Sequence, residues 1–344
     1  MGDVPDGIDA DGVTEWMRGH VPSVAPPLRF EVVAGGRSNL TYIVSDGAGQ
    51  RWVLRRPPLH GVLQSAHDVG REHRIMRALA SSPVPVPRMI EYEPDVAVTG
   101  APFFVMDFVD GLVVRDADAA RGVDPAVRRV AGESLVDVLV ALHQVDPDAV
   151  GLGELGRKEG YIERQLRRWH GQLEQSRTRE LPALDEVHAR LVARVPEQGP
   201  ATIVHGDYRL DNVIIGEDGD VRAVLDWELC TLGDAMADVG MLAVYWADPG
   251  DETIPLISAP TVVDGFPRRT DALERYAQGS GRDLSQLDFY VAFALWKIAI
   301  ILEGVYSRSV SGAYGSGTDD SFRAFAEIVT RLGDRALEAT EGGA

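Results

Sequence analysis

The sequence has very little cysteine and lacks the motifs that identify several common classes of protein. Its one cysteine, Cys230, excludes an internal disulfide framework and favours a reducing compartment, so we expect a cytoplasmic location. There is no G-x4-G-K-[ST] segment, no H-E-x-x-H segment and no paired C-x-x-C segment. These absences exclude P-loop enzymes, zincin proteases and zinc-ribbon proteins.

Basic residues are scarce relative to acidic ones. The 344 residues include 34 Lys and Arg against 53 Asp and Glu, a formal net charge of -19. Such a charge repels the phosphates of nucleic acid and anionic membrane surfaces, so we expect neither as a partner. It could attract a cationic substrate, although an acidic surface that maintains solubility is the simpler explanation.

Long hydrophobic runs are also missing. The most apolar stretch, residues 289–306, is interrupted by Lys297 and Glu303, which predicts a buried core helix rather than a membrane span. The first eleven residues are acidic and lack the basic flank and apolar run of a signal peptide, so we do not expect export. With 45% hydrophobic residues, the chain can bury a full core divided between two lobes.

Hydrophobic periodicity predicts an α+β fold that begins with strands and continues with helices. Strands are predicted over 28–33, 40–44, 51–56, 89–93 and 103–109, and helices over 8–19 and 65–79. Beyond a turn at Asp110-Gly111, helices are predicted over 125–144, 158–176, 181–194, 235–246, 270–279, 288–307 and 321–338. The helical half contains one short β region, at 202–204, 213–215 and 221–225.

Three polar residues flank that β region. Asp207 and Asn212 precede its hairpin and Asp226 follows it, so the hairpin returns them to one place. Two carboxylates and an amide oxygen suit a hard cation such as Mg²⁺, and one carboxylate could instead orient an attacking hydroxyl. Each residue alone could be a turn cap, but the three together at this spacing predict a functional site.

The same region resembles a known family. The motif consists of His205-Gly206-Asp207-x4-Asn212 followed by Val224-Leu225-Asp226-Trp227-Glu228. It is similar to the catalytic loop and metal segment of the aminoglycoside phosphotransferase and choline-kinase-like superfamily, whose fold is protein-kinase-like. The resemblance implies an ATP-dependent phosphotransferase in which Asp207 accepts the proton of the acceptor hydroxyl and Asn212 and Asp226 bind Mg²⁺. It also implies that His205 is structural.

The resemblance extends to the nucleotide-binding lobe, which it places at residues 1–109, with the catalytic and substrate-binding lobe at 110–344. The phosphate-covering loop corresponds to Gly35, Gly36, Ser38 and Asn39, where small residues and free backbone N–H groups let phosphate approach. Arg55 takes the role of the third-strand cation and Glu72 that of its helix carboxylate. Family members usually carry lysine at position 55, and Arg56 is the alternative phosphate contact.

Two further segments resemble parts of that fold. Residues 103–111 correspond to the hinge between the lobes, with Met106 in the gatekeeper position and the backbone of Asp107 to Val109 facing adenine. A plain buried strand would explain the same apolar residues. Farther along the chain, Asp238 corresponds to an aspartate that braces the catalytic loop through backbone hydrogen bonds, and Asp234 to a helix N-cap.

The segment Gly160-Tyr161-Ile162-Glu163-Arg164-Gln165-Leu166-Arg167-Arg168-Trp169 is similar to a subgroup of kinase-like domains joined to acyl-CoA dehydrogenases. An amphipathic surface helix with solvated arginines is the alternative interpretation.

We expect a small-molecule acceptor with a free hydroxyl. The net charge favours a cationic aminoglycoside-like acceptor, whereas the subgroup favours a hydroxyacyl thioester. Because arginine replaces lysine at position 55, a catalytically weak pseudokinase that binds nucleotide or a protein partner is the alternative function.

Overall fold

The protein has an α+β fold with a small antiparallel sheet beside a larger helical part. The computed structural model describes residues 4–33, 39–59, 68–254, 259–311 and 320–342. The sheet has the order β1-β2-β3-β5-β4 and is antiparallel throughout. Its strands are β1 Arg29–Val32, β2 Leu40–Ser45, β3 Arg51–Arg56, β4 Met89–Glu93 and β5 Phe103–Asp107. The predicted lobe thus has the expected strands, although β5 ends two residues before the predicted position 109.

Two helices cover the faces of this sheet. Helix α1, Ala10–His20, packs its Trp16 and Met17 against the buried alternate residues of β2 and β3, including Trp52 and Leu54. Helix α2, Val69–Leu79, contacts β4 and β5. Because side chains alternate along a strand, neighbouring residues of β3 point to opposite helices.

The helical part is built around one long apolar helix. Its helices are α3 Ala117–Arg121, α4 Pro125–Gln144, α5 Tyr161–Ser176, α6 Pro182–Ala193, α7 Met236–Tyr245, α8 Arg269–Ser280, α9 Leu287–Val310 and α10 Asp320–Ala339. By length and composition alone α9 could cross a membrane, but 72% of its apolar window is buried among α5, α6, α7 and α10. It is the core helix that the sequence predicts. The short helix α3 was not predicted.

Two short strand pairs place the polar motif. Strands β7, Val213–Ile215, and β8, Val221–Val224, form the expected antiparallel hairpin, with Val213 opposite Val224. Strand β6, Thr202–Val204, pairs with β9, Thr231–Gly233, a strand that the sequence did not predict. Since β6 leads into residues 205–212 and β9 follows residues 225–230, the two pairs hold these loops side by side.

Close packing of α7 against α9 gives a test of the fold. An added Cβ on Gly240 would lie 2.5 Å from the backbone oxygen of Tyr290, whereas a Cβ on Gly171 of α5 would meet no described atom within 4 Å. We expect Gly240→Ala to destabilise the protein by about 1–3 kcal/mol. Gly171→Ala should stabilise it by up to about 1 kcal/mol, because alanine favours a helix interior. Thermal melting of both variants measures this, and equal shifts in the same direction would contradict the packing.

Candidate active site

A fully buried carboxylate fixes the start of loop 205–212. The backbone N–H groups of His205 and Gly206 donate to the two oxygens of Asp238, at 2.6 and 2.7 Å. His143 lies 3.3 Å from the same carboxylate, and its other ring nitrogen lies 2.7 Å from the hydroxyl of Tyr276. Burial alone would raise the pKa of Asp238, but the bond from His143 and the backbone N–H groups outweigh it and lower the pKa. Asp238 thus makes the bracing bonds expected from the sequence.

His205 connects the two loops. Its Nε2 lies 2.9 Å from the carbonyl oxygen of Leu225, and its Nδ1 lies 3.3 Å from the backbone nitrogen of Asp207. A carbonyl can only accept, so Nε2 carries the proton and Nδ1 accepts from the N–H of Asp207. Both ring nitrogens are therefore used within the protein, which fits a structural role rather than that of a base.

Asp207 lies in a polar cluster that the sequence only partly predicted. The side-chain amide of Asn212 donates to the backbone oxygen and to the carboxylate of Asp207, at 2.8 and 2.9 Å. Arg209 Nε lies 3.3 Å from the Asp207 carboxylate and 2.9 Å from that of Asp211. Burial raises the pKa of Asp211 to about 6 while Arg209 opposes the shift. The guanidinium of Arg209 also covers the ring of Tyr245, 4.7 Å from its centroid.

Two members of this cluster were missed for different reasons. Arg209 lies within the quoted motif, two residues after Asp207, and its proximity in the chain was a usable signal. Tyr245 ends α7, far away in sequence, and only the tertiary fold brings it to Asp207. Burial together with the charge of Asp207 raises the pKa of Tyr245 above its ordinary value, so the phenol stays protonated beside the carboxylate.

Asp226 lies at the other end of the hairpin, close to Asn212. The backbone N–H of Leu225 donates to the carbonyl oxygen of Asn212 at 2.8 Å, which joins the two hairpin ends. Asp226 itself adopts a left-handed backbone conformation, with φ 63° and ψ 61°. This conformation is costly for most residues and is found where a side chain must be placed for function.

A set of carboxylates that could hold a cation surrounds Asp226. Among the described residues, oxygens of Glu72, Asp226 and Glu228 lie within 4.8 Å of one another. Carboxylate oxygens are the ligands that Mg²⁺ prefers, so the chemistry of this donor set fits that ion. The side-chain nitrogen of Asn212 donates both of these hydrogen bonds to Asp207. The side-chain oxygen of Asn212 takes part in neither bond. The sequence assigned no role to Glu228, although it lies within the quoted motif.

Arg55 connects the sheet to this acidic group. Its Nε lies 2.9 Å from Glu72, and its Nη2 lies 2.7 Å from Asp226. The amide of Asn39 donates to the same Glu72 carboxylate. Burial raises the pKa of Glu72 to about 7, with Arg55 opposing the shift and Asp226 adding to it. The ion pair expected between Arg55 and Glu72 is therefore present. Arg55 also pairs with Asp226, which the sequence predicts to be a metal ligand.

Arg56 points away from the site. It follows Trp52 and Leu54 on the face of β3 that meets α1, and it donates to the carbonyl oxygens of Gly7 and Thr99. The alternative in which Arg56 contacts phosphate is therefore corrected: strand alternation turns it to the opposite face of the sheet.

The structure describes only some of the other residues that the sequence assigns to nucleotide binding. Gly35, Gly36 and Ser38 lie outside the described residues. Met106 is buried within β5, and the carboxylate of Asp107 forms a two-pronged ion pair with Arg88, at 2.7 and 2.9 Å. The N–H of Asp107 donates to the Arg88 oxygen at 2.9 Å, so it is not free to face a base. Val109 lies beyond the end of the strand and is partly exposed.

Comparison with known proteins identifies the family of this chain. The phosphotransferase enzyme family, APH, matches residues 29–290. Mouse acyl-CoA dehydrogenase family member 10 is 33% identical over 337 residues, which cover 94% of this chain. The match spans only 31% of that relative's own length.

Solved structures share the fold. A protein from Ralstonia eutropha JMP134, provisionally assigned as an aminoglycoside phosphotransferase, is 32% identical with a TM-score of 0.81, and the match covers 97% of this chain and 98% of that one. A thermostable mutant of the aminoglycoside phosphotransferase APH(4)-Ia, in complex with AMP-PNP and hygromycin B, shares 15% identity with a TM-score of 0.63. That match covers 96% of this chain and 99% of the other and concerns the fold alone. With its two-lobed fold and its matched motif, the chain belongs to the phosphotransferase enzyme family.

Proposed function

We propose that the protein transfers the γ-phosphate of ATP to a hydroxyl of a small molecule, with Mg²⁺ as cofactor. Family membership supports a kinase-type enzyme. The assignment of ATP, Mg²⁺ and a hydroxyl acceptor rests on one arrangement of side chains. Asp207 and Asn212 lie on one loop. Asp226 follows the adjoining hairpin and lies beside the Arg55–Glu72 ion pair. A base, metal ligands and a phosphate-binding cation are thereby available in one cleft. We place that cleft between lobes 1–109 and 110–344, in the cytoplasm.

Each residue has a defined task in this mechanism. Arg55 binds nucleotide phosphate while Glu72 holds its guanidinium in position. Asp226, with Asn212, would hold Mg²⁺, which when bound neutralises charge on the transferred phosphate. Val109 and the backbone near Met106 would contact adenine, and Gly35, Gly36, Ser38 and Asn39 belong to the loop that we assign to the phosphates.

Asp207 acts on the acceptor. Its carboxylate, held by Asn212 and flanked by Tyr245, orients the attacking hydroxyl. It takes the proton of that hydroxyl as the new oxygen–phosphorus bond forms and the bond from the γ-phosphorus to ADP breaks. Arg209, 3.3 Å from Asp207, can stabilise the negative charge that develops on the transferred group. Positioning and electrostatics supply most of the catalysis in such transfers, so the fixed geometry of loop 205–212 is the main requirement.

The acceptor is proposed as a class. Net charge favours a cationic, aminoglycoside-like molecule, but charge at long range is screened beyond about 8 Å at physiological salt. The similarity to a relative named as an acyl-CoA dehydrogenase family member favours a hydroxyacyl compound, and we prefer that class.

One observation favours a second candidate, a catalytically weak nucleotide-binding protein. Arg55 reaches past Glu72 and bonds Asp226 directly, so it competes for an oxygen that a metal would need. A lysine, with a single charged nitrogen, could not span both carboxylates in the same way.

An acceptor screen tests the function. Purified protein is incubated with Mg²⁺ and ATP and with aminoglycosides, sugars, amino alcohols or hydroxyacyl-CoA compounds, and ATP consumption is measured. Asp207→Asn serves as the blank and should lower turnover by about 10²–10⁴-fold, because the proton acceptor is lost while the metal site remains. Turnover of an aminoglycoside alone would reverse our preference of acceptor. Turnover of no compound would favour the nucleotide-binding protein.

The metal assignment is tested by nucleotide-dependent melting. For the wild type we expect ATP to raise the melting temperature strongly only when Mg²⁺ is present. Asp226→Ala should abolish the Mg²⁺-dependent part of that rise. Asp220→Ala, which removes an exposed carboxylate from the turn of the same hairpin, should retain it. If Asp226→Ala responds to Mg²⁺ like the wild type, Asp226 is not the ligand.

The two neighbouring arginines of β3 form a matched pair. Arg55→Gln should weaken ATP binding about tenfold or more, because a charged hydrogen bond to phosphate is lost. Arg56→Gln should lower the melting temperature of the free protein, since it leaves the carbonyls of Gly7 and Thr99 without a donor, but should bind ATP normally. Calorimetric titration with Mg²⁺-ATP measures both affinities. An equal loss of affinity in the two variants would contradict the assignment.

A further inference from the structure

A second polar pocket lies beside the catalytic loop. It has a volume of about 200 Å³ and lies between α2, α5 and the segment that leads into β9. Its wall includes Gly206 of loop 205–212, so it adjoins the candidate active site without containing Asp207 or Asp226. Three cations line it: Arg71 from α2, Arg168 from α5 and Lys297 from α9.

In the part of the chain that the structure describes, several arginines pair with a carboxylate, and the three pocket cations do not. Arg55, Arg177 and Arg179 each pair with a carboxylate. By contrast, Arg71 donates to the carbonyl oxygen of Cys230, and Lys297 donates to the carbonyl oxygen of Gly206 at 2.8 Å.

Within the described residues, none of the three pocket cations lies within 4.0 Å of a carboxylate oxygen. Acidic residues outnumber basic ones by 53 to 34. In such a chain most cations are expected to have a carboxylate nearby, so three cations without one around a single pocket are unusual.

Two carboxylates also line the pocket. Asp68 accepts the N–H of Arg71 and caps α2. Glu228 belongs to the carboxylate group around Asp226. The pocket is therefore lined by three cations and two carboxylates, so cations are in excess.

Lys297 is the most deeply buried of the three cations. It is buried, 6% exposed, and its ammonium group lies 5.6 Å from the centroid of the Trp169 ring. Burial lowers the pKa of Lys297, although the charges of Asp207 and Asp238 oppose the shift. An anion in the pocket would further stabilise the charged ammonium group.

We infer that this pocket binds a phosphate-class anion between Arg168, Arg71 and Lys297. Guanidinium and ammonium groups that converge without carboxylate partners are the donors that recognise phosphate. The Trp169 ring, beneath Arg168 and Lys297, supplies an apolar wall against which the rest of a phosphorylated small molecule can pack. The site gives a function to Arg168, one of three arginines in the 160–169 segment, whereas the alternative interpretation leaves this exposed side chain solvated.

The pocket is placed to influence the catalytic loop. Arg71 is adjacent to Glu72 in α2, and Lys297 bonds Gly206, which is adjacent to Asp207. An anion that joins the two cations would tie α2 to loop 205–212. The phosphate could belong to the acceptor itself or to a separate effector. The inference does not depend on ATP hydrolysis or transfer, so it can fail or hold independently of the proposed function.

The test uses inorganic phosphate as probe and thermal melting as readout, with chloride adjusted to keep ionic strength constant. Wild-type protein should show a saturable rise in melting temperature. Arg168→Gln should weaken the apparent phosphate affinity about tenfold or more, because a charged hydrogen bond is lost. Arg167→Gln removes an exposed arginine from the adjacent position of α5, outside the pocket, and should behave as the wild type.

A wild type without a saturable response, or equal losses in the two variants, would overturn the site. Repeating the titration with saturating Mg²⁺-ATP separates the pocket from the nucleotide cleft: the response should persist, and its complete loss would place the phosphate in the cleft instead. With an active acceptor from the screen, phosphate that raises only KM identifies an acceptor subsite. Phosphate that changes kcat identifies a separate effector site. Both outcomes require the pocket to bind the anion.

Discussion

The carboxylate of Asp238 is the interaction on which the candidate active site depends. It is fully buried and accepts hydrogen bonds from two successive backbone N–H groups of loop 205–212 and from His143. A buried charge is tolerated only when its partners are all in place, and removing one partner costs on the order of 3–5 kcal/mol. The loop therefore has one favoured conformation, in which Asp207 follows at a fixed position. His205 connects this loop to the segment that contains Asp226 through its hydrogen bond to the carbonyl oxygen of Leu225.

The short strands explain why so small a β region is present in a helical lobe. Strands β6 and β9 join the outer ends of two loops, and strands β7 and β8 join their inner ends. Backbone hydrogen bonds at both ends leave each loop little freedom, so side chains distant in sequence are held within contact distance. Within the described residues, each loop contains only one short 3-10 helix, Leu210–Asn212 or Trp227–Leu229, and no strand, so its polar side chains are not committed to a sheet.

Features that depend on residues close together in the sequence could be predicted, whereas features that depend on contacts between distant elements could not. The hairpin, the core helix α9 and the position of Asp238 follow from local patterns and from a motif. Arg55 and Arg56 could not be separated from sequence, because the burial of one face of β3 is decided by α1, a separate element. Tyr245 and Lys297 approach loop 205–212 from α7 and α9. No local pattern marks Tyr245, and Lys297 is visible in the sequence only as a charge that interrupts an apolar helix. Arg209 and Glu228 were within the motif, but their roles emerge only from distances.

The backbone at Asp226 restricts which residues evolution can place there. A left-handed conformation is tolerated by glycine and, among residues with side chains, best by asparagine and aspartate. Glutamate would keep the charge but not fit the backbone as readily, whereas asparagine and glycine would fit the backbone and lose the charge. The easiest replacements at this position therefore keep the backbone conformation while removing the anion. One such step would take a carboxylate from the group formed by Glu72, Asp226 and Glu228 and from the ion pair with Arg55.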